Sequence, residues 1–249
     1  MKFVIISDIH GDKEGLIELT KALKKRIHEE TCLLIAGDLG LRSEDIEEEL
    51  SELCDTFVNI YYVPGNDDPP NLSIKGFQNI DRNFVVINEV AIIGLGGSPP
   101  IGVRTLYNWM DEDRNLYRAL SKCFESAYRY HPLFTIFLTH CPPRGILDEA
   151  TFYGRRHIGS QLILNLARAY TPTIHFFGHV HREGGRVASR KFRGREVKFV
   201  NVAIFSHKTP YKALSKRYFV LKFQDGIKMD MDFVVNPYLD INAFIMEYV

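Results

Sequence analysis

Short apolar runs alternate with helical patterns in the first part of the chain. The runs cover 2–7, 32–36 and 57–63, and their aliphatic and β-branched residues predict three strands. Leucines at three- and four-residue spacing predict a helix after the first run, and Ser43 is predicted to cap a second helix after the second run. Strands that alternate with helices in this way are typical of a parallel sheet that is covered on both faces.

The rest of the chain is richer in predicted strands. Residues 84–95 predict two adjacent strands joined by a tight turn, and the apolar runs 134–138 and 173–177 predict two more. A helix is predicted to begin near Ser160, between these last two strands. From Gly184 to Val235 only strand-like segments occur, which predicts a second, more antiparallel sheet.

One segment interrupts this succession of strands. Residues 96–130 have no strand pattern and contain a helix-like stretch from Asp111 onward, so we interpret them as an insertion. The chain contains no internal repeat, low-complexity tract or linker rich in proline and serine. A single domain over residues 1–249 is therefore predicted, with the insertion inside it.

Composition and charge narrow the functional classes. Lys and Arg number 31, Asp and Glu also number 31, and a net charge of zero gives no general case for a nucleic-acid or membrane partner. The four cysteines have no spacing that indicates a disulfide framework, and no apolar stretch is long enough to cross a membrane. We therefore expect a soluble, cytoplasmic protein whose contacts with phosphate groups are local.

Residues that can bind metals collect where the predicted strands end. Because the carboxyl ends of parallel strands meet at one edge of a sheet, loops that are distant in sequence can share one site there. Mixed oxygen and nitrogen ligands of this kind suit Mn, Fe, Zn, Co or Ni better than Ca. The predicted ligands are Asp8, His10, Asp38, Asn66, His140, His179 and His181.

The order of these residues resembles the signature of the calcineurin-like metallophosphoesterase superfamily. The superfamily pattern is D-x-H, G-D, G-N-H-[DE], H and G-H-x-H, and the matching positions extend from Asp8 to His181. The resemblance implies an α/β fold of four layers, in which two mixed β-sheets pack face to face and helices flank them. It also implies an enzyme that hydrolyses phosphoric esters.

The resemblance further implies two metal sites. One would comprise Asp8, His10, Asp38 and His181, and the other Asp38, Asn66, His140 and His179, with Asp38 as the bridge. Two divalent cations about 3.5–4 Å apart share a hydroxide that serves as the nucleophile and hold the phosphoryl oxygens. We expect manganese, with iron, zinc, nickel or cobalt as alternatives.

The chain departs from the superfamily pattern at Asp67. The superfamily has a histidine here, which the resemblance implies would protonate the leaving group. Nearby cations lower the pKa of an aspartate and make it a poor proton donor. Asp67 nevertheless occupies the position of the acid and is one candidate catalytic residue. His157 is another, either as a contact to the phosphate or as the replacement acid. The alternative for His157 is a structural position ahead of the helix that Ser160 caps.

The altered acid position favours a phosphodiesterase acting on a small phosphate ester. Alternatives are a phosphomonoesterase or a nuclease with the same site, and a metal-dependent docking or scaffold protein with little turnover. The basic segment Arg182–Lys198 could guide a polyanion such as a nucleic acid, although the exposed face of a hairpin is the favoured interpretation. Within the insertion, Arg104 could bind a phosphate and Trp109 a ring. Alternatively, these two residues and Tyr107 could belong to a packed surface flap or a subunit contact.

Overall fold

The protein is described by a computed structural model that covers residues 2–24, 30–40, 46–102, 104–150, 157–203, 218–224 and 228–234. Four helices lie in these ranges: α1 (Lys13–Lys24), α2 (Glu47–Cys54), α3 (Arg114–Tyr128) and α4 (Gln161–Tyr170). The strands of the first half are β1 (Lys2–Ile6), β2 (Thr31–Ile35), β3 (Asn59–Tyr62), β4 (Gln78–Asn79), β5 (Phe84–Ile87) and β6 (Val90–Leu95). The strands of the second half are β7 (Phe134–Thr139), β8 (Ile174–Phe177), β9 (Val187–Phe192), β10 (Arg195–Asn201), β11 (Tyr218–Gln224) and β12 (Lys228–Val234).

The strands form two six-stranded mixed sheets. The first has the order β12-β11-β1-β2-β3-β4, in which β1 to β4 are parallel and β11 and β12 are antiparallel additions at the β1 edge. The second has the order β5-β6-β7-β8-β10-β9, with a parallel centre and antiparallel outer strands. The predicted four-layer α/β architecture is confirmed.

The alternation of side chains along β1 and its neighbours creates the layers. Phe3 and Ile5 face the second sheet, where they pack in one cluster with Ile136 and other apolar residues of that sheet. Val4 and Ile6 point the opposite way and belong to the cluster that includes the inner faces of α1 and α2. Successive side chains of a strand lie on opposite faces, so a strand without polar interruptions is buried between two layers.

The prediction for residues after Gly184 was wrong in its topology. These residues do not form one separate sheet, because β9 and β10 join β8 in the second sheet, whereas β11 and β12 extend the first. The reason is that β1 and β8 each offer a free edge at different places in the fold, and local pattern carries no information about which edge a later strand will join. The predicted cap Ser43 lies outside the described residues.

The insertion is integrated into the second half of the fold. Its helix α3 packs with α4 on the outer face of the second sheet through residues such as Leu120, Phe124 and Leu162. The side chain of Asp111 accepts hydrogen bonds from Ser160 Oγ at 2.5 Å, Gln161 N at 2.9 Å and Leu162 N at 3.1 Å. The insertion thus satisfies the first turn of α4. The prediction of one domain over 1–249 stays a prediction.

The Asp111 contact tests how firmly the insertion is joined to the second sheet. We predict that Asp111→Ala lowers the free energy of unfolding by about 2 kcal/mol, because it removes a charged acceptor from the start of α4. Urea denaturation measures the change, and Glu112→Ala, at an exposed neighbouring carboxylate, is the matched control. Equal stability of the two variants would contradict this role for Asp111.

Candidate metal centre

Five loops that follow strands bring the predicted ligands together at one edge of the two sheets. The loops after β1, β2 and β3 come from the first sheet, and the loops after β7 and β8 come from the second. Backbone hydrogen bonds join these loops directly, including Asp8 N to Gly37 O at 2.9 Å and Gly178 N to His140 O at 3.0 Å. The site is therefore held by both sheets at once.

One group of ligand atoms is formed by Asp8, His10 and His181, which could hold one metal ion together. His181 Nε2 lies 3.0 Å from Asp8 Oδ1 and 3.2 Å from His10 Nε2. His10 Nε2 lies 3.6 Å from the same Asp8 oxygen. Two ligands that bind one ion at right angles, each about 2.1 Å away, are about 3 Å apart, so these separations fit a shared ion.

A second group surrounds His140. Its Nε2 atom lies 2.9 Å from Asn66 Oδ1 and 3.5 Å from Asp38 Oδ2, and its ring lies beside that of His179 with centroids 5.0 Å apart. Asp38, Asp8 and His140 also form a candidate metal-binding set. The same Asp38 oxygen, Oδ2, also lies 3.7 Å from His10 Nε2. The Asp38 carboxylate thus lies between the two groups.

The orientation of His140 leaves a lone pair facing the site. Its Nδ1 lies 2.8 Å from the carbonyl oxygen of Ala36, which can only accept, so Nδ1 carries the hydrogen. In the neutral ring, Nε2 then presents its lone pair toward the oxygen of Asn66. Two electron-rich atoms 2.9 Å apart repel each other unless a positive charge lies between or beside them. The arrangement fits a divalent cation.

His179 supplies an independent indication of a ligand. Its Nε2 atom is buried and, among the described residues, has no hydrogen-bond partner. Burial lowers the pKa of His179 to about 3, and the neighbouring His140 acts in the same direction, so the ring is neutral. A buried, unpaired imidazole nitrogen is costly unless it binds something, and a neutral imidazole is the form that coordinates metals.

The carboxylates make the site strongly attractive to positive charge. Burial works against a charged His10, yet the hydrogen bond and charge of Asp8 raise the pKa of His10 to about 9. Burial raises the pKa of Asp38 to about 6 despite the opposing influence of His140. For Asp8, burial is outweighed by His181 and His10, which hold its pKa well below the ordinary value. Divalent cations would satisfy both carboxylates in their ionised form.

The loops adopt strained backbone conformations at the ligands themselves. Asp8, His10, Asp38 and His179 have φ values of 58°, 49°, 52° and 69°, in the left-handed region that residues other than glycine rarely occupy. Such conformations cost on the order of 1–3 kcal/mol each and concentrate at functional sites. These backbone conformations direct the side chains of the short loops toward a common point.

Two glycines allow the close approach of neighbouring loops. A Cβ atom on Gly65 would lie 1.9 Å from Asp38 Oδ1, and one on Gly178 would lie 2.2 Å from Asp8 Oδ2. Any larger residue would displace these carboxylates, which explains why glycine precedes Asn66 and His179.

A sequence model of calcineurin-like phosphoesterases matches residues 1–183. The chain belongs to the calcineurin-like phosphoesterase family. Proteins of this family are metal-dependent hydrolases of phosphate esters, and the candidate ligand clusters of this member agree with that property. Among the described residues, no helix combines the length and apolar character needed to cross a bilayer.

This calcineurin-like phosphoesterase is similar to proteins from several organisms. It is 28% identical over 190 residues to MJ1162 of Methanocaldococcus jannaschii, covering 73% of this chain and 80% of that protein. It is 27% identical over 179 residues to the UPF0046 protein K07C11.7 of Caenorhabditis elegans, which accounts for 71% of this chain and about half (54%) of the nematode protein. The crystal structure of TT1561 from Thermus thermophilus shares the fold, with a TM-score of 0.58 and 16% sequence identity. The match covers 93% of this chain and 97% of TT1561.

The two candidate catalytic residues of this phosphoesterase lie in different surroundings. Asp67 is exposed at the site, and its carboxylate belongs to a further candidate ligand set with His10 and Asp38. The ring of His157 is half exposed, and its Nδ1 lies 2.8 Å from the buried carboxylate of Asp148. His157 belongs to none of the ligand groups found among the described residues. The catalytic role of His157 therefore stays a prediction, as does its structural alternative.

Asp68 is a site residue to which the sequence analysis gave no role. Its buried carboxylate accepts from Gly65 N at 2.8 Å, Leu39 N at 3.1 Å and Gly40 N at 3.2 Å. It therefore joins the loop of Asn66 to the loop of Asp38. The last position of the superfamily pattern G-N-H-[DE] falls on Asp68 and was the signal that could have identified it.

The insertion residues of interest separate into packed and exposed positions. Tyr107 and Trp109 are buried, and the Trp109 indole donates to Gly96 O at 2.9 Å, so neither ring is presented to a ligand. The backbone N–H of Tyr107 donates to Asn66 O at 3.0 Å, which fastens the insertion to a ligand loop. Arg104 is exposed. The flap alternative is thus the one that fits Tyr107 and Trp109.

We predict that Asp68→Asn weakens both folding and metal binding. The amide removes the charge that three backbone N–H groups share, at a cost of about 2–3 kcal/mol in the free energy of unfolding. Mn²⁺ affinity should fall as well, because the loops of Asp38 and Asn66 lose their common acceptor. Denaturation and calorimetric titration measure the two effects. A variant that is as stable as the parent and binds Mn²⁺ equally well would contradict this role.

Proposed function

We propose that this chain is a two-metal phosphodiesterase that acts on a small phosphate ester. The observation that carries the proposal is the position of the Asp38 carboxylate, 3.7 Å from His10 Nε2 in one ligand group and 3.5 Å from His140 Nε2 in the other. Both distances are to the same oxygen, Oδ2, whereas Oδ1 accepts from the backbone N–H of Asp67. A carboxylate oxygen that faces imidazoles of both groups would be suited to bridge two cations.

Each group has its own ligand residues in this proposal. Asp8, His10 and His181 would hold one cation with Asp38, and Asn66, His140 and His179 would hold the other with Asp38. When bound, two such ions activate a water molecule and neutralise charge on the phosphoryl oxygens. Manganese is the proposed metal, because neutral imidazoles and several oxygens form a mixed set that this ion accepts.

The protein residues have the remaining tasks. The Ala36 carbonyl fixes the orientation of the His140 ring, and Ser7 Oγ, 2.6 Å away, donates to Asp8 Oδ2. The backbone N–H of His179 also donates to the Asp8 carboxylate, at 3.1 Å. These contacts hold the ligands in place before a substrate arrives, so little reorganisation is needed during the reaction.

Preference for diesters is supported by the residue that follows Asn66. Asp67 replaces the neutral histidine of the superfamily pattern and adds a negative charge at the exposed side of the site. A monoester carries two negative charges near neutral pH and a diester carries one, so this extra carboxylate disfavours the monoester more strongly. Without a histidine donor, hydrolysis also favours esters whose leaving group needs little protonation.

We predict that the chain binds close to two Mn²⁺ ions and that Asp38→Asn loses both metal and turnover. Loss of the bridge should cost about 3 kcal/mol of transition-state stabilisation, which is about 100-fold in kcat. Metal analysis after reconstitution gives the stoichiometry, and hydrolysis of bis-p-nitrophenyl phosphate gives the rate. A fully active Asp38→Asn protein would refute the bridging assignment, and a stoichiometry of one would refute the two-metal site.

We predict a steep dependence of the rate on the leaving group. Nitrophenyl diesters should be hydrolysed quickly and alkyl diesters slowly, because Asp67 occupies the position at which the superfamily pattern has a histidine to protonate the departing oxygen. Asp67→His should raise the rate on alkyl diesters relative to aryl diesters. The measurement is kcat/KM across a series of diesters of graded leaving-group pKa. A flat series for the parent chain would show that an effective acid is already present.

A further inference from the structure

Asp67 holds a position from which its carboxylate can reach the ligand groups. Its backbone N–H donates to Asp38 Oδ1 at 3.0 Å, and its Oδ1 accepts from Asn66 Nδ2 at 2.9 Å. These two contacts fix the residue beside both a bridging candidate and a neutral oxygen ligand. The side chain itself is exposed, unlike the buried Asp8 and Asp38, so it lies on the open side of the site.

The separations of the ligand atoms fit direct coordination. One oxygen of Asp67, one ring nitrogen of His10 and one oxygen of Asp38 all lie within 4.8 Å of one another. Two ligands on opposite sides of an ion, each about 2.1 Å from it, are about 4.2 Å apart. The Asp67 side chain is exposed, so its carboxylate has room to rotate toward an ion at this point. The three atoms can therefore surround one ion.

The charge distribution also needs an explanation. Asp8 and Asp38 already place two buried carboxylates at this point, and a third carboxylate beside them is repelled. The repulsion disappears if a cation lies among the three. A histidine at this position would add no such repulsion, whereas an aspartate is stabilised there by a bound cation.

We propose that Asp67 is a metal ligand, which joins His10 and Asp38 around the cation on the open side of the site and makes the centre richer in anionic oxygen. This inference rests on the two-metal site proposed above. Its consequence is a shift in metal preference toward ions that favour oxygen, such as Mn²⁺, and away from Zn²⁺.

The test is a calorimetric titration of the metal-stripped 249-residue chain with Mn²⁺ and separately with Zn²⁺. Asp67→Asn should weaken one of the Mn²⁺ binding events by about 10–100-fold, by analogy with the loss of a partner around a metal. Asp67→His should weaken Mn²⁺ and leave Zn²⁺ unchanged or tighter. The matched control is Glu89→Gln, an exposed carboxylate in the β5–β6 turn, at the opposite end of β6 from the site. It should bind as the parent does.

Asp38→Asn separates failure of this inference from failure of the proposed function. If Asp38→Asn loses Mn²⁺ while Asp67→Asn binds it as tightly as the parent, the metal site stands and Asp67 is not a ligand. If Asp38→Asn also binds Mn²⁺ unchanged, the proposed metal centre itself is wrong. Thermal unfolding of each variant shows whether a change in affinity reflects a folded protein, and Asp67→Ser provides a second substitution if Asp67→Asn does not fold.

Discussion

The structure of the site depends on the convergence of two buried carboxylates, Asp8 and Asp38, from neighbouring parallel strands. In a region of low dielectric, two like charges cannot lie close together without compensation. The opposite sheet supplies the ring nitrogens of His140 and His181 at 3.5 Å and 3.0 Å from these oxygens, so a cation bound among them would provide the compensation. The face-to-face packing of the sheets is therefore also what brings anionic and imidazole ligands together.

Hydrogen bonds between the loops hold the two carboxylates close together despite their like charges. Asp68 binds three backbone N–H groups across two loops, and the backbone of His10 donates to Asp38 O at 2.9 Å. These contacts offset the left-handed conformations at Asp8, His10 and Asp38. The apolar layers on either side offset the conformational cost of these loops. The rigid strand ends limit how far a ligand side chain can move.

The parts of this fold that follow from local pattern could be predicted from the sequence, and the parts that depend on distant pairing could not. The runs before Asp8, Asp38 and His140 predicted strands correctly, because period and β-branching are local properties. The attachment of β11 to β1 could not be predicted, since nothing in 218–224 identifies its partner. For the same reason the Ala36 carbonyl that orients His140, 104 residues away, was invisible in the sequence.

For the site, the sequence identified the types of the ligand residues but not the surroundings of the candidate catalytic residues. The seven ligand candidates were identified by type and order, and the structure brings six of them into measured contacts between ligand atoms, with His179 beside His140. The roles of Asp67 and His157 depend on neighbours that the sequence does not reveal. His157 has the proton-donor chemistry but is held by Asp148 outside the described ligand groups, whereas Asp67 lies at the site but carries the charge of a ligand.

This distribution of chemistry between Asp67 and His157 limits the reactions that the site can perform well. As proposed, the centre would activate water and neutralise a phosphoryl group while Asp67 donates no proton, so it would stabilise only half of the charge that develops during hydrolysis. The remaining half must be carried by the leaving group itself. Esters of acidic alcohols or phenols meet that requirement, and a singly charged diester also tolerates the extra carboxylate. In these proposals, the aspartate after Asn66 therefore accounts for both the metal environment and the class of ester that would be cleaved.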